Sequence, residues 1–114
     1  MRISEVRRAA LALPEAVELD HHGIPSFRVG GRIFATLPDD THVRVMVDER
    51  DIRAAVAAHP TACAEFWWGS RLACVVIDVG VAPRRVVAEL LVDAWRRKAP
   101  RRLVREFDAS SAGG

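Results

Sequence analysis

The chain has 114 residues, of which 50% are hydrophobic and 28% are charged, and its formal net charge is +2. This length suits one domain with a single core, and the composition is that of a globular protein rather than a disordered one. No apolar run approaches the roughly 20 residues that a transmembrane helix needs, and the first residues lack the apolar core of a signal peptide. We therefore expect a cytoplasmic protein with no membrane partner.

The first predicted helix spans residues 5–13, with Ser4 as its N-cap. Pro14 disfavours helical geometry at the preceding residue and ends the helix there. Residues 17–20 then form a candidate edge strand. Apolar residues recur at helical spacing and predict one buried stripe, formed by Ile3, Val6, Ala10 and Leu13.

A hairpin is predicted around Gly30-Gly31, because glycine readily adopts the positive φ angles that a two-residue turn requires. This turn places Val29 opposite Arg32. It also places Phe27 opposite Phe34, so that the two rings share one face of the sheet.

The next strand covers residues 42–47, and its alternation points three valines toward the core. His42, Arg44 and Met46 point to the other side. Asp48 is the predicted N-cap of a second helix of about ten residues, which ends at His59-Pro60.

Residues 61–68 favour a strand, and Gly69-Ser70 favours a turn. Residues 72–79 are apolar almost throughout, so we expect a central strand covered on both sides. The last helix starts at Pro83 and stops before Pro100. Its predicted apolar stripe is Val87, Leu90, Leu91, Ala94 and Trp95.

The element order is therefore α-β-β-β-α-β-β-α, with the candidate edge strand left open. This order indicates a single α+β domain, with an antiparallel sheet of about five strands and helices packed on it. We assign residues 1–103 to the domain and residues 104–114 to a flexible C-terminal tail.

Basic residues are concentrated near the C-terminus. Between residues 84 and 105, eight basic residues stand against two acidic ones, so this segment carries +6 and the remainder of the chain −4. The pairs Arg85–Glu89 and Asp93–Arg97 have helical i,i+4 spacing. The segment predicts either a phosphate-binding surface or a solvated helix end whose cations suit the helix dipole. Its basic residues are Arg84, Arg85, Arg96, Arg97, Lys98, Arg101, Arg102 and Arg105.

Phe66-Trp67-Trp68 is the second candidate site. Neighbouring aromatic residues on a strand point to opposite faces, so at least one indole is expected to be exposed. An exposed tryptophan beside Arg71 would stack a base or line a pocket; alternatively, one indole fills the core and the other covers a sheet edge. The surface that would bind a small molecule or a protein partner comprises His22, Phe27, Met46, Trp67, Trp68 and Arg71.

The sequence favours neither a metal site nor an enzyme. His21 and His22 are adjacent on an extended chain and point apart, so no metal-ligand spacing results. Cys63 and Cys74 are expected to be buried thiols rather than a disulfide. No serine or cysteine lies in a nucleophile-elbow context. We therefore expect no metal, no cofactor and no catalytic residue.

Several stretches resemble the MmcQ/YjbR family of small bacterial proteins. They are residues 22–35, the strand at 43–47, Trp67-Trp68-Gly69 with the apolar strand after it, and residues 94–100. The resemblance covers about residues 4–103. It implies an α+β domain with an antiparallel sheet, similar to secretion-chaperone and frataxin-like architectures. Arg7 and Arg8 argue against the acidic first helix that frataxin-like iron binding would need.

Members of this family are commonly labelled DNA-binding, but the resemblance implies no agreed set of binding residues. Our leading hypothesis is a non-enzymatic DNA-binding protein, monomeric or weakly dimeric, whose C-terminal basic segment contacts phosphates. The alternative is a module that binds a small molecule or a protein partner on the tryptophan-lined surface of the sheet.

Overall fold

A computed structural model describes residues 1–113, with side chains described up to residue 110. Within these described residues, four helices and six strands follow one another. In order, they are α1 (Ile3–Leu11), β1 (Val17–His21), β2 (Ile24–Val29), β3 (Arg32–Thr36), β4 (His42–Val45), α2 (Glu49–Ala58), β5 (Cys63–Trp68), β6 (Arg71–Asp78), α3 (Arg84–Lys98) and α4 (Arg101–Gly113).

The six strands form one antiparallel sheet in the order β1-β2-β3-β4-β6-β5. This confirms the α+β class, with six strands rather than about five because β1 pairs with β2 along its whole length. The helices pack on one face, which we call the inner face, and the opposite face is the outer face. β6 is therefore not covered by helices on both sides, contrary to the expectation from its apolar sequence.

Helix α1 begins two residues earlier than predicted. Its N-cap is Arg2, whose backbone N–H donates to Glu5 Oε1 at 2.9 Å, and Ser4 lies inside the helix. The carboxylate of Glu5 satisfies a backbone N–H that the helix itself leaves free, which explains the earlier start. Val6 and Ala10 are fully buried, as the apolar stripe predicted.

The β2–β3 hairpin has the predicted turn and, beside it, the predicted pairing of Val29 with Arg32, but the register differs beyond Arg28. Gly30 and Gly31 both have positive φ, at 57° and 77°. Phe27 opposes Ala35 rather than Phe34, because a β-bulge leaves Phe34 unpaired. The two rings still pack together in the core, with centroids 6.5 Å apart. A second bulge, at Ala73, interrupts the β5–β6 pairing. Bulges bend their strands, and the candidate site described below lies between these two.

Asp48 caps α2 as predicted, since its carboxylate accepts from the Asp51 backbone N–H at 2.8 Å. The predicted stripe of α3 is buried against the inner face. Trp95 is fully buried, and its indole N–H donates to the Pro14 carbonyl at 3.0 Å. This bond ties the last long helix to the loop between α1 and β1.

The predicted flexible tail is helical over its described part. After Pro100 the chain forms α4, in which Leu103 is buried and the Phe107 ring lies 5.1 Å from that of Trp95. Leu103 and Phe107 are four residues apart, so they share one helix face that packs on the core. The prediction of a flexible tail from residue 104 is therefore wrong for the described residues, and Gly114 lies outside them. No helix in residues 1–113 is long and apolar enough to cross a membrane.

Candidate functional site

A concavity of about 330 Å³ lies on the outer face of the sheet. Strands β2, β3, β4, β5 and β6 contribute its floor and walls, and the end of β1 closes one side. Its lining residues are His21, Ile24, Ile33, Thr36, Arg44, Met46, Phe66, Trp68, Arg71, Ala73 and Cys74. This lining is mostly apolar and contains two arginines, but it includes no acidic side chain.

Two polar groups line the concavity without a protein partner. Thr36 and Arg44 are cross-strand neighbours on β3 and β4. Thr36 is only 3% exposed, and neither its hydroxyl oxygen nor the Nε atom of Arg44 has a hydrogen-bond partner within the protein. Leaving a buried polar group unpaired costs about 1–3 kcal/mol in stability. These two groups are therefore candidates for binding a ligand.

Ser26 provides the contrast, because it is the cross-strand neighbour of Thr36 on β2. Its hydroxyl donates to the Leu19 carbonyl at 2.8 Å and accepts from Arg28 Nε at 3.2 Å. The fold therefore satisfies one buried hydroxyl on this face and leaves its neighbour free.

The guanidinium of Arg44 lies over the ring of Phe66, with its carbon 4.5 Å from the ring centroid. This cation–π contact holds Arg44 against the floor while leaving its Nε–H without an acceptor. At the rim, Trp68 is 75% exposed and pairs directly with Arg71 across the β5–β6 hairpin. The site thus combines an aromatic wall with two cations.

Cys74 is buried and lines the same concavity. Burial raises the pKa of its thiol to about 11, although the positive charge of Arg44 acts in the opposite direction. Because the thiolate is the nucleophilic form, Cys74 is a poor nucleophile at neutral pH. Cys63 belongs instead to the core on the inner face, where burial also raises its pKa.

Half of the six residues predicted for a ligand surface line the concavity: Met46, Trp68 and Arg71. Phe27 does not, because it is fully buried in the core on the inner face. His22 occupies a turn position with φ 53°, and its neighbour His21 lines the concavity instead. Trp67 lies outside the lining, and its indole donates to Glu65 Oε2 at 3.2 Å.

The sequence interpretation named Phe66 within its second candidate site, and Phe66 lines the concavity. It missed Thr36 and Arg44, although the alternation of β4 contained a usable signal for Arg44. It correctly placed Arg44 and Met46 on the side away from the core. An arginine flanked by Val43 and Val45 in a strand at the centre of a sheet is unusual, and this already marks a candidate site. Thr36 gave no comparable signal, since its burial depends on long-range packing.

The eight basic residues of the C-terminal segment do not form one surface free of acids. Arg96 pairs with Asp108 at 2.6 Å, an interaction that the helical conformation of α4 makes possible. The predicted Asp93–Arg97 pair is not present, because Arg97 donates to the carbonyls of Met46 and Val47 at 3.1 and 3.2 Å. The other ion pairs are Arg84–Glu5 at 2.6 Å, Arg85–Glu89 at 3.4 Å, Arg102–Glu15 at 3.5 Å and Arg102–Glu106 at 3.7 Å.

Lys98, Arg101 and Arg105 have no acidic partner among the described side chains. Arg101 and Arg105 are exposed on α4, whereas Lys98 is half-buried at the end of α3. Within the same described residues, no three histidine, cysteine or acidic side chains come together in a metal-binding arrangement.

Comparison with known proteins places this chain in a family. The sequence model of the YjbR family matches residues 11–97, and no curated protein sequence matches. The crystal structure of Deinococcus radiodurans protein DR2400, a DUF419 domain, is similar, with a TM-score of 0.72 and 21% identity. That match covers 82% of this chain and 75% of the other, and at this identity it shows a shared fold. The chain therefore belongs to the YjbR family.

Proposed function

We propose that this protein is a non-enzymatic binding module that holds a small organic anion in the outer-face concavity. The observation that carries the proposal is the pair of unpartnered polar atoms, Thr36 Oγ1 and Arg44 Nε, in a site whose lining contains no acid. Both atoms are shielded from solvent in the structure, so a carboxylate oxygen would accept hydrogen bonds from both groups once their side chains turn toward the concavity. Such charge-assisted bonds are about twice as strong as neutral ones.

The apolar part of the concavity supports a ligand with a planar hydrophobic body. Met46, Phe66 and Trp68 offer flat or deformable apolar surface beside the two arginines. Ligand sites in proteins commonly combine a mainly apolar lining with a few placed polar groups. We therefore infer an aromatic acid or a similar compound, with its charged end at Thr36 and Arg44 and its ring near Trp68.

The chemistry of Cys74 supports binding rather than catalysis. It is the thiol in the concavity, and its raised pKa keeps it protonated at neutral pH. His21 also lines the site, but the lining contains no acidic side chain to orient it as a base.

Fluorescence titration with naphthalene-2-carboxylate and its neutral analogue naphthalene-2-carboxamide tests this proposal. The carboxylate is expected to quench Trp68 emission and to bind at least about tenfold more tightly than the amide. Replacing Thr36 with Val or Arg44 with Met should remove most of that preference. Arg53→Met is the matched control, since Arg53 is an exposed residue paired with Glu49 on α2. Equal binding of the two probes, or an equal loss in the control, would overturn the proposal.

DNA binding is the second candidate function, and one observation favours it. Lys98 ends α3, Arg101 and Arg105 lie one turn apart on α4, and none of the three has an acidic partner among the described side chains. Phosphate contacts of this kind predict affinity for DNA that falls steeply with salt.

A labelled duplex and a labelled single strand, each measured at two salt concentrations, test this second candidate. Arg101→Gln/Arg105→Gln should weaken binding and reduce the salt slope by about two. Arg84→Gln/Arg85→Gln removes the same charge from residues that are already ion-paired and serves as the control. DNA binding by these residues would be contradicted if no binding occurs at low salt, or if both double variants weaken binding equally.

A further inference from the structure

β5 lies at one edge of the sheet, where it pairs with β6 on one side. Its other side is open among the described residues, since Ala64, Glu65 and Trp67 are exposed and Trp68 is 75% exposed. The strand itself is regular, because the bulge in the β5–β6 pairing falls on β6 at Ala73. A regular, exposed edge strand presents unpaired N–H and C=O groups to which another strand can add.

The register of β5 shows which residues point their backbone groups toward this free edge. The Asp78 N–H donates to the Ala62 carbonyl at 2.8 Å, one residue before the strand begins. Hydrogen-bonded residues alternate along an antiparallel strand, so every second residue after Ala62 is bonded to β6. Glu65 and Trp67 lie between these residues and therefore direct their N–H and C=O groups away from the sheet.

The opposite edge of the sheet, β1, is protected against pairing with itself. Glu18 and Asp20 lie two residues apart on this five-residue strand. A two-fold pairing of β1 centred anywhere on residues 18–20 brings two carboxylates directly opposite each other, which is unfavourable. Arg7 partly neutralises Glu18 at 2.9 Å, but Asp20 forms no ion pair among the described side chains. β5, by contrast, carries one charged residue, Glu65.

We propose that β5 pairs with β5 of a second copy of this chain, antiparallel and centred on Phe66. The two six-stranded sheets then form one continuous sheet, with a two-fold axis perpendicular to it. Glu65 lies opposite Trp67 of the second copy, and these two residues exchange backbone hydrogen bonds in both directions. On the outer face, Trp68 lies opposite Ala64 of the second copy, so that a large side chain meets a small one.

Charge selects this register. A pairing centred one residue earlier, on Glu65, would bond the same backbone groups, but it would place the Glu65 carboxylates of the two copies opposite each other. Centring on Phe66 instead opposes two phenylalanine rings, which is a favourable cross-strand pair. Within one copy, the Trp67 indole N–H donates to Glu65 Oε2 at 3.2 Å. In the dimer, each Glu65 also lies across from Trp67 of the other copy.

This pairing brings the two concavities together. Phe66 and Trp68 line the concavity on the outer face, and Phe66 lies at the two-fold axis. The two concavities therefore open side by side on one continuous face. The six residues of β5 are fewer than the roughly 20–30 residues that each partner contributes to a standard interface, so we expect a dimer that dissociates in the micromolar range. The proposal goes beyond the proposed function and requires no ligand.

Sedimentation equilibrium over a range of protein concentrations tests the pairing. Trp67→Lys places a cation opposite Glu65 of the second copy, whereas Trp67→Glu places a second carboxylate there. Trp67→Lys is expected to dimerise at least about tenfold more tightly than Trp67→Glu, and added salt should reduce the difference. Net charge alone predicts the opposite order, because the chain already carries +2.

Leu19→Glu, at a half-exposed position on the opposite edge, is the matched control and should leave the dimerisation constant of wild type unchanged. Thermal unfolding of each variant verifies that it remains folded. A second measurement needs no variant. Hydrogen exchange of the Glu65 and Trp67 backbone N–H groups should slow as the concentration of wild type rises, whereas exchange along β1 should not change.

The proposal is overturned if wild type remains monomeric at millimolar concentration, which would leave this edge to an extended segment of another protein. It is equally overturned if Trp67→Lys and Trp67→Glu dimerise alike, or if Leu19→Glu weakens dimerisation as much as Trp67→Glu does. Loss of ligand binding in the concavity would not affect these results.

Discussion

The two faces of the sheet differ in how their buried polar atoms are hydrogen-bonded. On the inner face, Phe27, Phe34 and Trp95 are fully buried, and the polar atom among them, the indole nitrogen of Trp95, has a partner. On the outer face, Thr36 and Arg44 place unpartnered polar atoms beneath a concavity. The inner face is organised for stability. The outer face keeps polar groups that cost stability, and this difference is the basis on which we propose the outer face as a binding surface.

Replacing a tryptophan on each face with alanine should give the largest difference in stability between the two faces. Trp95→Ala removes a fully buried indole together with its bond to Pro14, so the free energy of unfolding should fall by about 3–5 kcal/mol. Trp68→Ala removes a mostly exposed indole and should change that free energy by less than about 0.5 kcal/mol. Urea unfolding of both variants measures the difference. Similar losses would show that Trp68 is part of the structural core.

Helix α4 belongs with the inner face. Leu103→Ala should lower the free energy of unfolding by about 2–3 kcal/mol, because Leu103 is buried in the core. Arg105→Ala, on the exposed side of the same helix, should change it by less than about 0.5 kcal/mol. Thermal and urea unfolding measure both. A negligible effect of Leu103→Ala would contradict the packing of α4 on the core.

Removing each of two neighbouring hydroxyls on the outer face should have opposite effects on stability. Ser26→Ala breaks two hydrogen bonds and should cost about 1–2 kcal/mol. Thr36→Val removes a buried hydroxyl that has no protein partner, so stability should stay the same or rise. Denaturant unfolding of the two variants, compared with wild type, measures both effects. A loss of about 1 kcal/mol or more in Thr36→Val would mean that its hydroxyl is satisfied in solution.

The smallest expected effect is the alkaline titration of Lys98. Its folded pKa lies below 10.5, so the unfolded state binds more protons and stability rises with pH from the folded pKa to 10.5. Burial raises the pKa of both thiols, which has the opposite effect above pH 9. Because wild type and Lys98→Gln contain the same two thiols, the thiol contribution cancels in the difference between their stabilities. It should be more stable than wild type by a few tenths of a kcal/mol at pH 7, and the gap should close by pH 11.

Local patterns predicted most of the fold, because strand alternation, glycine turns and helix caps depend on neighbouring residues. Asp48, Gly30-Gly31 and the stripe of α3 are examples. The bulge at Phe34 and the docking of α4 on Trp95 depend on packing between distant segments. The spacing of Leu103 and Phe107 did contain a signal for α4, which the basic composition of the segment obscured.

The candidate site was predicted only in part for the same reason. Trp68 and Arg71 are close in sequence and belong to one hairpin, so their proximity followed from the turn between them. Thr36 and Phe66 come from distant strands, and only the sheet order brings them to one concavity. The ion pair of Arg96 with Asp108 likewise requires α4, and it changes how much of the basic segment is available for phosphates.

The most direct test of the outer face as a binding surface follows the side-chain Nε–H signal of Arg44 by NMR during titration with naphthalene-2-carboxylate. We expect this signal to move to saturation in wild type and its exchange with solvent to slow, because a carboxylate accepts its hydrogen. In Thr36→Val the affinity should fall about tenfold while the fold remains intact. A signal that does not move, or that moves equally with naphthalene-2-carboxamide, would contradict the assignment of the concavity as an anion-binding site.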